Sequence, residues 1–199
     1  MGLSLIPTPF DDPDWIFELK HDGFRALAYI SDRNCELVSR RHNAYKTFES
    51  LRAVLSKLKV QNAILDGEIV CLDCEGRSLF NELLRRRESP GYYAFDLLWL
   101  NGRDLRDLPL IERKQRLRKL IFRSQPDGVI CAGHIEGRGK ALYAEVCDRD
   151  LEGIVCKPKY SSYLLYGQWL KVKNPNYSQT EGRRQVFDAL RERSSRSVR

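Results

Sequence analysis

No stretch of this 199-residue chain approaches the roughly 18 consecutive apolar residues that a membrane helix needs. The first residues, Met1-Gly2-Leu3-Ser4-Leu5-Ile6-Pro7, are too short and too uncharged at the start for a secretory signal, and Ile6 stands where a myristoylation motif has Ser or Thr. The expectation is a cytoplasmic protein with no membrane partner. Histidine is scarce: His21, His42 and His134 stand far apart and form no ligand pattern. Cysteine is present (Cys35, Cys71, Cys74, Cys131, Cys147 and Cys156), but only Cys71 and Cys74 have the spacing of half a zinc site, with no second close pair. We read that pair as a strand end followed by the turn Asp73-Cys74-Glu75-Gly76, and the six cysteines as reduced thiols. There is no internal repeat, and no low-complexity tract precedes the C-terminus.

What is present is a chain with 42% hydrophobic residues, enough for one ordinary core, and a net charge of +7, which favours a polyanionic partner. Strand-like runs cover Trp15 to Leu19, Ala26 to Ile30, Glu36 to Ser39, Ala63 to Leu72, Tyr92 to Leu100, Gly153 to Lys157 and Gln168 to Val172. Helical periodicity fits Phe48 to Lys59, Ser78 to Arg87, Ile111 to Ile121 and Gly139 to Arg149. This irregular mixture predicts an α+β fold with antiparallel sheets rather than a doubly wound parallel one. From Ser178 to Arg199 six arginines accumulate, so residues 1–177 read as one domain and 178–199 as a basic tail, with a short helix over Gln185 to Arg193.

Along a strand, residues two apart share a side. Glu18 and Lys20 therefore face away from Phe17 and Leu19, Asp66 pairs with Glu68, and Lys171 pairs with Lys173. A solvated sheet face has the same pattern, so periodicity alone does not decide. The run Lys20-His21-Asp22-Gly23-Phe24-Arg25 is more specific. Its Lys-x-Asp-Gly-x-Arg pattern arises by chance in about 0.3% of chains of this length at average residue usage. A free lysine is an ammonium at neutral pH and cannot attack phosphorus; neighbouring cations such as Arg25, Lys171 and Lys173, with burial, would favour the neutral amine. Gly23 is expected to let the backbone turn tightly after the lysine.

These residues resemble ATP-dependent DNA ligases of the covalent nucleotidyltransferase superfamily, and most of all the ligase module of bacterial end-joining ligase D. The likeness rests on six ordered segments between about Pro9 and Pro175. They are Lys20 to Arg25, Ser39-Arg40, Leu65-Asp66-Gly67-Glu68, Phe95-Asp96-Leu97-Leu98, Glu152-Gly153-Ile154-Val155 and Trp169-Leu170-Lys171-Val172-Lys173. It implies two antiparallel sheets flanked by helices, with a nucleotide cleft between them, as in the ligase and mRNA-capping fold. It also implies ATP and Mg²⁺ as cofactors, with Mn²⁺ as a substitute, and nicked double-stranded DNA as substrate. Lys20 then attacks the ATP α-phosphate and carries AMP. Lys171 and Lys173 contact that phosphate, Arg40 a phosphate, and Arg25 the ribose or the 5′-phosphate of the nick. Phe95 stacks on adenine, Glu18 accepts from its amino group beside Leu19, Glu68 meets the ribose or a metal-bound water, and Glu152 with Glu68 holds the metal. Trp169 we read as packing.

Two departures qualify the likeness. Leu164, Leu165 and Tyr166 stand where relatives show arginine and serine, and family ligases continue into an OB-fold domain beyond the end of this chain. The expectation is ATP binding, slow self-adenylation, and weak nick sealing unless a protein supplies an OB-fold or DNA clamp in trans. The alternatives are an RNA ligase or capping-type transferase, or a non-catalytic nucleotide- or nick-binding subunit.

Overall fold

The computed structural model describes residues 2–85, 89–163 and 169–180. Two sheets pack with a cleft between them. The first contains β1 (Leu3–Leu5), β2 (Trp15–Leu19), β9 (Ile135–Glu136), β10 (Gly153–Pro158) and β11 (Trp169–Lys173), in the order β1-β11-β10-β2-β9. The second runs β4-β3-β5-β6-β7, from β3 (Phe24–Ser31), β4 (Asn34–Ser39), β5 (Asn62–Val70), β6 (Gly91–Leu100) and β7 (Arg103–Asp104), with β8 (Val129–Cys131) also on β6. The helices are α1 (Glu49–Leu55), α2 (Phe80–Arg85), α3 (Leu110–Ser124) and α4 (Gly139–Asp148).

The expected α+β architecture is present. The sheets are not purely antiparallel, because β1 joins β11, and β8 joins β6, in parallel. Both additions are three-residue strands, too short for a period to register in sequence. Strand β5 stops at Val70, two residues early, because Asp73 gathers the following turn: its carbonyl accepts from Gly76 and its carboxylate from the amides of Glu75 and Arg77. The helix expected over Ser78 to Arg87 and the strand expected from Gln168 both run into positions outside the described residues, as do Leu164, Leu165, Tyr166 and most of the basic tail with its expected helix. Among the described residues no helix is long and apolar enough to cross a membrane.

The largest core lies on the second sheet, where Ala26, Ala28, Leu65, Ala94 and Leu97 meet Leu51 and Leu55 of α1, Phe80 and Leu83 of α2, and Leu117 and Leu120 of α3. The outer face of the first sheet packs Phe17, Ile154, Cys156 and Val172 against Val146 of α4. A third cluster, Ile16, Leu110 and Trp169, with Phe95 and Tyr163 against it, joins the sheets. Both faces of β2 are therefore covered, and Glu18 is buried instead of belonging to a solvated charged side.

Candidate active site

Strand pairing sets out the site in rows. On the first sheet, Val155 is opposite Glu18 on one flank and Lys171 on the other. One step further, the Lys20 amide donates to the Gly153 carbonyl, and Gly153 is opposite Lys173. On the second sheet, Arg25, Glu68 and Tyr93 form a row across β3, β5 and β6. The two faces enclose one pocket lined by residues that include Glu18, Leu19, Lys20, Arg25, Glu68 and Phe95.

Two irregularities make this enclosure. Asp66 pairs with Asp96 while Gly67 pairs with Ala94, so Phe95 is the extra residue of a β-bulge. A bulge bends its strand and re-aims the side chain, and here it brings Phe95 to the pocket wall. Gly153, with φ 151°, is the second: a Cβ there would lie 2.2 Å from the Val172 carbonyl oxygen. Gly23 serves differently from the expected tight turn. Its φ is not positive, and the constraint is close approach, since a Cβ would meet the Ile69 carbonyl oxygen at 2.2 Å. Its bare backbone lets the segment after Lys20 lie against β5 and Glu68.

The Lys20 amine lies 2.7 Å from a Glu152 carboxylate oxygen. Of the cations expected around Lys20, Lys171 lies within electrostatic reach of it, whereas its contact partner is an anion and the Arg25 guanidinium is turned onto Asp66. Arg25 donates Nε at 3.0 Å and Nη2 at 2.6 Å to the two Asp66 oxygens, and Tyr163 donates its hydroxyl to the same carboxylate at 2.8 Å. The guanidinium lies 5.5 Å from the centre of the Phe95 ring and 5.7 Å from that of Trp169. Burial costs this cation, but the Asp66 charge and hydrogen bond outweigh that and hold its pKa above the ordinary value.

The Glu18 carboxylate, expected to accept from the adenine amino group, is held by two ammoniums. It accepts from Lys114 at 2.5 Å through one oxygen and from Lys157 at 2.5 Å through the other. Burial alone would raise its pKa; the two ammoniums outweigh burial and leave it lowered, so Glu18 stays ionised. Burial pushes Lys157 down, as does the nearby positive charge of Lys114, although Glu18 opposes both. Glu68 is pushed up to about 8, first by burial, with Lys20 and Arg25 opposing and Glu152 and Asp66 adding repulsion. Lys171 is lowered by partial burial and then by Lys173, Lys20 and Arg40. Lys171, Lys173 and Arg40 thus lie outside the pocket lining, Arg40 and Lys173 exposed, but within electrostatic reach of the neighbourhood of Lys20.

Several contributors carry no role in the sequence reading: Lys157, Lys114, Tyr93, His21, Val155 and Tyr163. Trp169 is buried packing, as expected, but its ring also walls the pocket. Two signals were available. Lys157 ends an otherwise apolar strand, where a buried ammonium requires a buried anion. Arg113 and Lys114 sit at the third and fourth positions after Leu110 in the buried stripe continued by Leu117, Leu120 and Ile121. Charges at apolar-phase positions of a helix mark partners inside.

The family model described as "ATP dependent DNA ligase domain" matches residues 5–173. The chain belongs to the ATP-dependent DNA ligase family. Among curated relatives of this ligase-family chain, the multifunctional non-homologous end joining protein LigD of Pseudomonas aeruginosa is 33% identical over 203 residues, covering 94% of the chain and 24% of the relative. The SPbeta prophage-derived DNA ligase-like protein LigB of Bacillus subtilis is 31% identical over 90% of the chain and 68% of its own length. Among solved structures, a mycobacterial DNA ligase D complexed with ATP and MES superposes with a TM-score of 0.72 at 26% identity, covering 86% of the chain and 60% of its counterpart. The ligase-family chain therefore corresponds to only part of several of these relatives.

Proposed function

We propose that this chain is the adenylyltransferase core of an ATP-dependent DNA ligase. Lys20 attacks the α-phosphorus of ATP, a nitrogen–phosphorus bond forms as the bond to pyrophosphate breaks, and AMP remains on the lysine as a phosphoramidate. AMP then passes to the 5′-phosphate of nicked double-stranded DNA, and the 3′-hydroxyl displaces it to join the strands. The observation that carries this reading is a lysine amine in a pocket whose walls also hold an aromatic ring on a bulge, Phe95, and a buried ionised carboxylate, Glu18.

Before attack the amine must give up its proton, and the Glu152 carboxylate at 2.7 Å is within reach to take it. Lys171, Lys173 and Arg40 supply positive charge where the phosphates lie, the electrostatic work that dominates phosphoryl transfer. Phe95 and Val155 offer the apolar faces between which a base can stack, and Glu18 accepts from the exocyclic amine of adenine. Arg25 reaches the ribose or the 5′-phosphate after leaving Asp66.

Mg²⁺, or Mn²⁺ in its place, fits the donor set. Glu68 and Glu152 are hard oxygen donors close enough to repel each other, a charge imbalance that a divalent cation relieves. Among the described residues no group of three or more His, Cys, Asp or Glu forms a complete protein cage, so phosphate and water oxygens would complete the shell. When bound, the ion offsets charge on the phosphate oxygens.

Intact mass after incubation with ATP and Mg²⁺ tests the reading. The wild-type chain should gain one adenylyl group and Lys20→Ala none. An unmodified wild type, or an adduct that persists in Lys20→Ala, would overturn it.

A further inference from the structure

Behind the pocket, Lys114 reaches from α3 on the second sheet to Glu18 on β2 of the first, donating to it at 2.5 Å and to the Ala132 carbonyl at 3.1 Å. It is 4% exposed and does not line the pocket. We propose that Lys114 is a positioning residue for purine selection, holding the Glu18 carboxylate charged and oriented so that the site takes adenine and refuses guanine. The proposal rests on the pocket being the nucleotide site.

The argument begins with a count of charges. One buried carboxylate, Glu18, faces two ammoniums, so one cation is more than ion pairing requires. The two lysines are not equivalent. Lys157 lies in the pocket, 4.0 Å from the centre of the Trp169 ring and 4.5 Å from that of Phe95, in the space a stacked base would enter. A base coming into that space draws Lys157 away and uncovers the Glu18 oxygen it held. Lys114 stays on the other oxygen, because its amine is also tied to the Ala132 backbone carbonyl on its own side of the sheet interface.

A single remaining cation is enough to keep Glu18 ionised, whereas a buried carboxylate with none would take up a proton. In its ionised form the freed oxygen accepts a hydrogen from the exocyclic amine of adenine. The carbonyl oxygen of guanine at the same place meets like charge, with no hydrogen to share. Discrimination thus comes from repulsion of the wrong base as much as from attraction of the right one. Take Lys114 away and Lys157 becomes the only counter-cation of Glu18; it is then retained there and covers the reading oxygen.

The test is equilibrium binding of ATP and GTP to the full chain, with Mg²⁺ chelated so that no transfer follows, for wild type, Lys114→Met, Lys114→Gln, Lys114→Arg and Glu18→Gln. Lys114→Met should weaken ATP about tenfold, about 1.4 kcal/mol, and GTP by less than about twofold, shrinking the preference. Lys114→Arg should restore it, since it keeps the charge. If Lys114→Met fails to fold, Lys114→Gln, which preserves a donor to Ala132 without the charge, provides the same comparison. Parallel losses for ATP and GTP, or an unchanged preference beside a Glu18→Gln variant that loses it, would assign Lys114 to packing alone and overturn the proposal. An unchanged preference in Glu18→Gln itself would instead overturn the reading of Glu18 as the base contact.

Discussion

Arg113 and Asp96 are both fully shielded, joined by two parallel bonds of 2.8 and 2.9 Å. Such a pair contributes little over an apolar substitute, yet removing one member strands the other's charge in the interior. Arg113→Met should therefore lower unfolding stability by about 3–5 kcal/mol in urea denaturation. His21 makes a prediction in pH. Burial, and then the charge of Lys20, lower its pKa from 6.5 to about 4. Protonation thus favours the unfolded chain: the contribution is complete above pH 6.5 and is lost as pH falls from 6.5 towards 4. At about 1.4 kcal/mol per pH unit the loss is roughly 3 kcal/mol, and His21→Gln should flatten that part of the stability profile. At this scale Lys20 and its acidic neighbours are legible in sequence, because lysine before Asp-Gly and acids on alternating positions are local patterns. The partners of Glu18, Arg25 and Lys20 are not, since they lie 96, 41 and 132 positions away.

Elements were legible where they were long. Among the described residues the central strands and the four helices fall where periodicity puts them, to within a few residues, whereas β1, β7, β8 and β9 have two or three residues each and no period to read. The bulge at Phe95 was hidden for a different reason: Tyr92 to Leu100 is apolar on both sides apart from Asp96, so alternation could not reveal an extra residue. Phe95→Ala should leave the fold intact and weaken ATP binding, readable by calorimetry. Gly153 opens β10 with φ 151° and with the Val172 carbonyl in the space of a Cβ. Gly153→Ala should force β10 and β11 apart at the end nearest Lys20, costing about 2 kcal/mol or more in stability and lowering self-adenylation.

At the scale of the molecule, the pocket is where the two sheets share a wall, so a ligand filling it fastens one sheet to the other. ATP at about one hundred times its dissociation constant should stabilise the chain by about 2.7 kcal/mol, visible as a rise in melting temperature, and Phe95→Ala should reduce that rise at equal ATP concentration. The charge of +7 suits a nucleic-acid partner, but charge alone does not locate the contact surface. The same bulged strand bears on how freely the coding sequence can drift in length. Counting along β6, Tyr93 is opposite Glu68 and Asp96 opposite Asp66, three steps on one strand against two on its neighbour. Losing a single codon between them would leave two steps against two, with Asp96 still on the side of Asp66 and Arg113 but with no extra residue to aim a ring at the pocket. A one-residue shortening there would thus spare the shielded Arg113–Asp96 pair and cost the site its aromatic wall.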